Sequence, residues 1–534
     1  MTEKSNRAIQ ARSILQWTLA GIAFWLLHIY LSYVPKELSV TDFQTPLLAS
    51  IRPSILLISA SILVLSFSKI LSSFSLQAIF PDKKDRWFLH ILIALTAWPY
   101  ISCDYNFFLD SWFLYDRIIL LLLLLASFRN GLFLLPLLAL VALINAQYEL
   151  PIGGAGFLDK RLPFEVLKWT FIFILLKGIF EKLFQGEKTA FTRQTWFFGM
   201  LCLFASYYFY SGWGKIALGE NIWYWAATNE VSNNFSAMHA RGWLASYPSL
   251  FAARYWFYDN FAMYGQWIIL VGELMGLVAL FHRRILKIFI GLMIFLHLNV
   301  FLLNGALFLG WIIIGLFLFR VFRKKDQSAM FFSKQTGIVS VVLIGLIPYA
   351  SDVPNLAWFD GPVDNRFELF ATNPTGEEVK VSLASLQPFT INFQKGLMNS
   401  LVTAKVISTG FLVFDKSKYQ ALKELNPDET DTYIQEKGIS KFNKDACYNM
   451  HLFLTAYQQN QKDQQKVMNK YLHYIQLPAY WNAHKSDDLP TLDSSYTNIK
   501  LVYSQAVKQE NGRYKTLIKE LVFPRECVDI TENE

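Results

Sequence analysis

Long apolar stretches separated by short charged loops fill the first 350 residues. They occupy 15–34, 53–71, 87–103, 112–128, 130–148, 163–181, 195–216, 260–281, 285–303, 305–322 and 336–350. A helix crosses a hydrocarbon core about 30 Å thick with about 20 apolar residues, and bends or local thinning admit shorter ones. The pattern therefore predicts about eleven transmembrane helices. The first stretch is too long for a signal-peptide core and lacks a small-residue cleavage site, so it is expected to stay as a span.

After residue 350 the period changes. Arg366 to Thr372 alternates like a strand, Asn373-Pro-Thr-Gly376 reads as a turn, and Val379 to Leu383 resumes the alternation, which predicts a hairpin. Lys441 to Ile475 carries apolar residues at helical spacing, as one or two surface helices would. Ile499 to Val507, the turn signal Asn511-Gly512, and Tyr514 to Phe523 predict a second hairpin. The fold class read from these patterns is an α-helical polytopic membrane protein, residues 1–350, followed by a small α+β domain, residues 351–534. The second part has no nucleophile elbow, phosphate loop or metal cluster, and by itself resembles a binding module.

Composition agrees with lipid as solvent: 53% of residues are hydrophobic and 17% charged, against roughly 25% charged in soluble chains. The formal charge of +8 divides unevenly, into +11 for residues 1–350 and −3 for 351–534. The excess base sits in alternate short loops, including Lys4, Arg7 and Arg12, Lys83, Lys84 and Arg86, and Arg323, Lys324 and Lys325. Cytoplasmic loops collect positive charge, so the N-terminus is expected inside and the C-terminal domain outside a cell membrane crossed many times. Membrane lipids are then the expected partners, and nucleic acid is not. Cys103, Cys202, Cys447 and Cys527 form no metal-ligand spacing, and no metal is expected. Cys447 and Cys527 read either as a disulfide or as two buried thiols.

An ionisable side chain inside a span costs roughly 2.5–3.5 kcal/mol on insertion scales, so each one marks a candidate site. Lys177 and Lys287 lie where they can snorkel, and Asp116 and Arg117 lie near an interface. Lys215 is different. It ends the run Tyr208-Phe-Tyr-Ser-Gly-Trp213-Gly-Lys215, and residues 211–267 then hold six tryptophans among Asn, Ser and Tyr. Such a segment is too polar to span and reads as amphipathic pieces lying at the outer interface or folding back over a cavity. A lysine there is either a desolvated general base or a snorkelling cation. His297 lies mid-stretch with Asn304 on the same helical face, and it fits a proton path or a helix-to-helix hydrogen bond. Glu273 on the preceding stretch either faces the same cavity or pairs with Arg117 or Lys215.

The motif Tyr-Phe-Tyr-Ser-Gly-Trp-Gly-Lys215-Ile, Glu273 in the next stretch, and Phe-Leu-His297-Leu-Asn299 before Phe308-Leu-Gly310-Trp resembles the horizontally transferred transmembrane (HTTM) domain, whose known members include vitamin K-dependent gamma-glutamyl carboxylases. The resemblance implies that Lys215 is the base that deprotonates reduced vitamin K, a menaquinol-type quinol. O2 then makes the strong base that removes a glutamate γ-proton before CO2 adds. It puts His297 in the position of the family's histidine in the later span, as a second catalytic residue that assists proton transfer or CO2 positioning. Trp213, Glu273 and Asn304 are candidates to bind the cofactor, and a peptide or protein substrate is expected on the outer face. The alternative class is a non-enzymatic membrane protein that binds or transports a peptide or lipid in immunity, export or assembly.

Overall fold

The computed structural model describes residues 3–38, 71–102, 115–149, 160–183, 190–241, 243, 248–323, 332–386 and, with breaks, 401–455 and 489–523. Each apolar stretch within these residues lies on a helix; the stretch 53–71 falls almost wholly outside them. The helices are α1 (Glu3–Leu38), α2 (Lys83–Ser102), α3 (Tyr115–Ser127), α4 (Leu134–Glu149), α5 (Arg161–Leu183), α6 (Arg193–Ala217), α7 (Tyr224–Thr228), α8 (Val231–Ala240), α9 (Phe251–Leu274), α10 (Arg283–Asn304), α11 (Leu309–Arg323) and α12 (Lys334–Leu346).

The expected eleven-span architecture does not hold. Among the described residues only Ile14–Ser32, within α1, and Arg283–Asn304 are long and apolar enough to cross a membrane, while Gly131–Ala146 and Lys334–Tyr349 are shorter apolar helices. Part of the remaining apolar character serves packing between helices, most completely in α5. Residues of α5 are buried along almost its whole length, and the charged Glu165 and Lys168 are enclosed with them as an ion pair. A hydropathy window counts apolar side chains but does not distinguish a lipid-facing helix from one surrounded by protein. The alternating loop charges orient spans only once their number is known, so they gave no independent check.

Local signals set the helix limits. Thr192 and Thr195 form a reciprocal capping box at the start of α6. Gly305 ends α10 in the left-handed region (φ 78°), where a Cβ would come within 2.8 Å of the Trp243 ring, so both conformation and space call for glycine.

Both expected hairpins form. β2 (Val363–Thr372) pairs with β3 (Glu378–Val381) across the Asn373–Gly376 turn, and β5 (Thr497–Lys508) pairs with β6 (Tyr514–Phe523) across a turn containing Gly512 at φ 77°. With β2 against β5, they make one antiparallel sheet of order β3-β2-β5-β6. A second small pairing joins β1 (Phe359–Asp360) to β4 (Leu412–Val413), followed by α13 (Lys416–Glu424). Of the stretch 441–475 expected as surface helices, Lys441–Phe442 is instead a short strand antiparallel to Val402–Thr403, residues 447–448 and 450–455 are helical, and 444–446, 449 and 456–475 lie outside the described residues.

The sheet does not stand apart from the helices. Phe367, Leu369, Val381, Leu501 and Tyr503 belong to the same buried apolar cluster as residues of α5 and α6. A second cluster joins Trp225 and Leu270 to Phe359, Val363, Tyr419, Leu422 and Val507. This second junction holds the candidate site.

Candidate functional site

Lys215 and Glu273 meet between α6 and α9. The ammonium donates to both carboxylate oxygens, at 2.8 and 2.7 Å, with side chains 9% and 5% exposed. Two glycines make the approach possible: a Cβ on Gly212 would lie 3.0 Å from the Glu273 Cβ, and one on Gly214 would strike Asn355 Oδ1 at 2.0 Å. Glu273 therefore pairs with Lys215 rather than Arg117. The Trp225 ring on α7 lies 5.1 Å from the ammonium, in cation–π range, and its Nε1 donates to Trp358 O at 2.7 Å. Of the six tryptophans in this segment, Trp225 is the one that lies over the lysine.

His297 on α10 is buried, and its Nε2 lies 2.6 Å from the Tyr208 hydroxyl; Nδ1 is buried and unpartnered. Phe308 and Trp311 stand against the imidazole, with ring centroids 4.9 and 5.2 Å away. Tyr208 precedes Lys215 by seven residues, so both sit on one face of α6 two turns apart. Lys215–Glu273 and Tyr208–His297 are therefore two buried polar pairs that share one face of α6.

Trp213 and Asn304 do not join it. Trp213 is 54% exposed and stacks on Phe209, because two residues along a helix turn the side chain about 200° from Lys215. Asn304 Oδ1 accepts from Ala306 N at 3.0 Å, a local role at the end of α10. Lys177 reaches Ile79 O. Lys168, besides its pairing with Glu165, donates to Ala350 O at 3.1 Å. Cys447 is disulfide-bonded, whereas Cys527 lies outside the described residues and Cys202 is free and buried. A disulfide fits an oxidising compartment. Among the described residues no group of three His, Cys, Asp or Glu side chains is placed to hold a metal.

Asp360 is the acid that sequence reasoning missed. It is buried where β1 meets α8. Asn229 Nδ2 donates to its Oδ2 at 2.9 Å, Asn234 Nδ2 and Trp358 Nε1 donate to Oδ1, and Asn233 Nδ2 donates to its backbone carbonyl at 2.7 Å. Burial raises its pKa from the ordinary 3.8 to about 6, against the opposing effect of these hydrogen bonds and of the Lys215 charge. The polar run Asn229-Glu-Val-Ser-Asn233-Asn234 was the available signal, but its partner lies more than 120 residues away.

A pH dependence follows. An acid whose pKa is raised on folding binds its proton more tightly in the folded state, so its stabilising contribution is full below pH 4 and is lost as pH rises to about 6. The two-unit shift corresponds to roughly 3 kcal/mol. The wild type is expected to lose about that much stability between about pH 3 and pH 7 relative to Asp360→Asn; parallel profiles for the two proteins would refute the assignment.

Compared with family models, curated proteins and solved structures, the chain matches none.

Proposed function

We propose that the protein is a membrane-embedded acid–base enzyme, carboxylase-like in the HTTM sense, that works on a lipid-soluble quinol. The observation that carries this reading is the enclosed Lys215–Glu273 pair under Trp225, on one face of α6 with Tyr208 and through it His297. Residence in a cell membrane is supported by apolar side chains exposed along the two long apolar helices, among them Ile14, Trp25 and Leu26 on α1 and Ile288, Phe295 and Leu302 on α10.

A quinol fits the chemistry of these groups, since the unpartnered Nδ1 of His297 is available to a hydroxyl and a lysine amine is a suitable base for one. When bound, the quinol would supply an acidic hydroxyl and, with O2, the strong base that removes a glutamate-type proton before CO2 addition. The chain's own residues handle protons. In the ion pair Lys215 carries the proton and cannot act as a base. Passing it to Glu273 leaves a neutral amine and a neutral acid, with no net charge change in the buried site, and the amine can then accept a proton from a hydroxyl set against it. Trp225 keeps water from the amine.

The rival reading, a non-enzymatic protein that binds or transports a peptide or lipid, is favoured by one feature: the pair satisfies itself, as structural glue between α6 and α9 would. The experiment that separates them is quinol-dependent O2 uptake and labelled CO2 incorporation by purified protein in lipid nanodiscs. Wild-type activity with Lys215→Ala at the protein-free background is expected. Identical traces from the two proteins would reject Lys215 as the base.

A further inference from the structure

Four residues beyond Asp360 the chain carries a second enclosed carboxylate, Asp364 on β2. Two arginines share it. Arg241, which caps the C-terminus of α8, donates from Nη2 to Asp364 Oδ1, and Arg366 on the same strand donates from Nε to Oδ2 at 2.9 Å. A guanidinium edge presents two parallel N–H donors matched to the two oxygens of one carboxylate. Here one carboxylate is divided between two such edges, so each is only half filled. Arg241 Nε and Arg366 Nη2 are both buried and have no hydrogen-bond partner.

The remaining contacts do not fill the gap. Arg241 reaches Asn365 O at 3.3 Å with the same Nη2 and Met238 Sδ at 3.7 Å with Nη1. The flat faces of the guanidiniums are covered by rings, Phe411 at 5.4 Å from Arg241 and Tyr514 at 5.0 Å from Arg366. The Tyr514 hydroxyl turns to Asn233 O. The edge N–H groups of Arg241 Nε and Arg366 Nη2 are what remains unpartnered. Two cations thus share one anion, and Arg366, with a side chain 17% exposed, is the one that keeps access to solvent.

We propose that this cluster binds a carboxylate-bearing ligand, whose oxygens take the two unfilled N–H groups and whose single negative charge balances the second arginine. Both guanidiniums are anchored on the oxygens of one carboxylate, so their free donors lie beside the same group. The site is separate from the proton-handling residues and does not depend on their assignment.

The test is thermal unfolding of the purified full-length chain in detergent at pH 7 and fixed ionic strength, with sodium acetate replacing sodium chloride. A second arm compares the dipeptide Ala-Ala with its C-terminal amide, to separate a small free acid from a chain terminus. A ligand that binds only the folded state raises the unfolding temperature with its concentration. A rise of several degrees, levelling off with concentration, is expected for acetate, for the dipeptide acid or for both, and none for the amide. Arg366→Gln keeps the neutral Arg241–Asp364 pair, so it is expected to fold and to lose the response. Lys215→Ala is expected to respond like the wild type, so a failure of the proposed enzymatic function leaves this result untouched. Equal unfolding temperatures in carboxylate and chloride for the wild type, or a full response from Arg366→Gln, would overturn the site.

Discussion

Lys215→Met is expected to destabilise the protein by about 3–5 kcal/mol, and the double variant Lys215→Met/Glu273→Leu to recover most of that loss. Removing one member of a buried ion pair leaves the other charge without compensation, whereas replacing both by apolar side chains of similar volume is often neutral or better. The geometry makes this a demanding case, because the ammonium spans both Glu273 oxygens and neither side chain has an alternative charged partner at hydrogen-bond distance among the described residues. Chemical unfolding of the three proteins in one detergent gives the comparison. The double variant also separates the two readings of function: a stable protein without quinol-dependent turnover marks the pair as chemical, and a stable protein with unchanged function marks it as glue. A double variant as unstable as Lys215→Met would mean that the surrounding helices need the charges themselves.

Asp364→Ala is expected to cost a similar amount, about 3–5 kcal/mol, by leaving two guanidiniums facing each other without an anion. Arg241 is the more sensitive of the two, since its side chain is only 4% exposed. It also ties the end of α8 to β2, so the loss falls on the junction between helices and sheet. Arg366 is partly exposed, and Arg366→Gln is expected to cost less than about 1 kcal/mol, as for interactions that water can replace. Limited proteolysis read alongside unfolding shows where the damage falls: in Asp364→Ala, the segment 351–534 is expected to be cleaved before the helical part. Equal stability of Asp364→Ala and Arg366→Gln would remove Asp364 from its proposed place as the shared anion.

Much of the local structure was legible in the residues. The alternation of Arg366 to Thr372 and the Asn511-Gly512 turn each became a hairpin, because a period of two and a glycine with positive φ are local properties. Lys215 stood out because charge is rare in its surroundings, and Glu273 was among its expected partners. What failed was the step from apolar stretch to membrane span. α5 is as long as a span, yet protein rather than lipid surrounds it, and the charges of Glu165 and Lys168 are met inside that packing.

The candidate site divides in the same way. Tyr208 and Lys215 share a face by helical spacing alone, but that the Tyr208 hydroxyl meets His297 depends on how α6 and α10 cross. Asn304, equally well spaced from His297, turned out to satisfy its own helix end. Asp360 and Arg241 could not be read at all, since each gains its meaning from residues more than 120 positions away. The sequence by itself determined where the helices and hairpins lie and which rare charges needed explaining, because those follow from nearest neighbours along the chain. Only the tertiary structure decided which apolar faces are covered, which charges meet, and that Trp225, held by the Trp358 carbonyl, lies over Lys215, because burial and electrostatic pairing depend on distances in space that no spacing along the chain encodes.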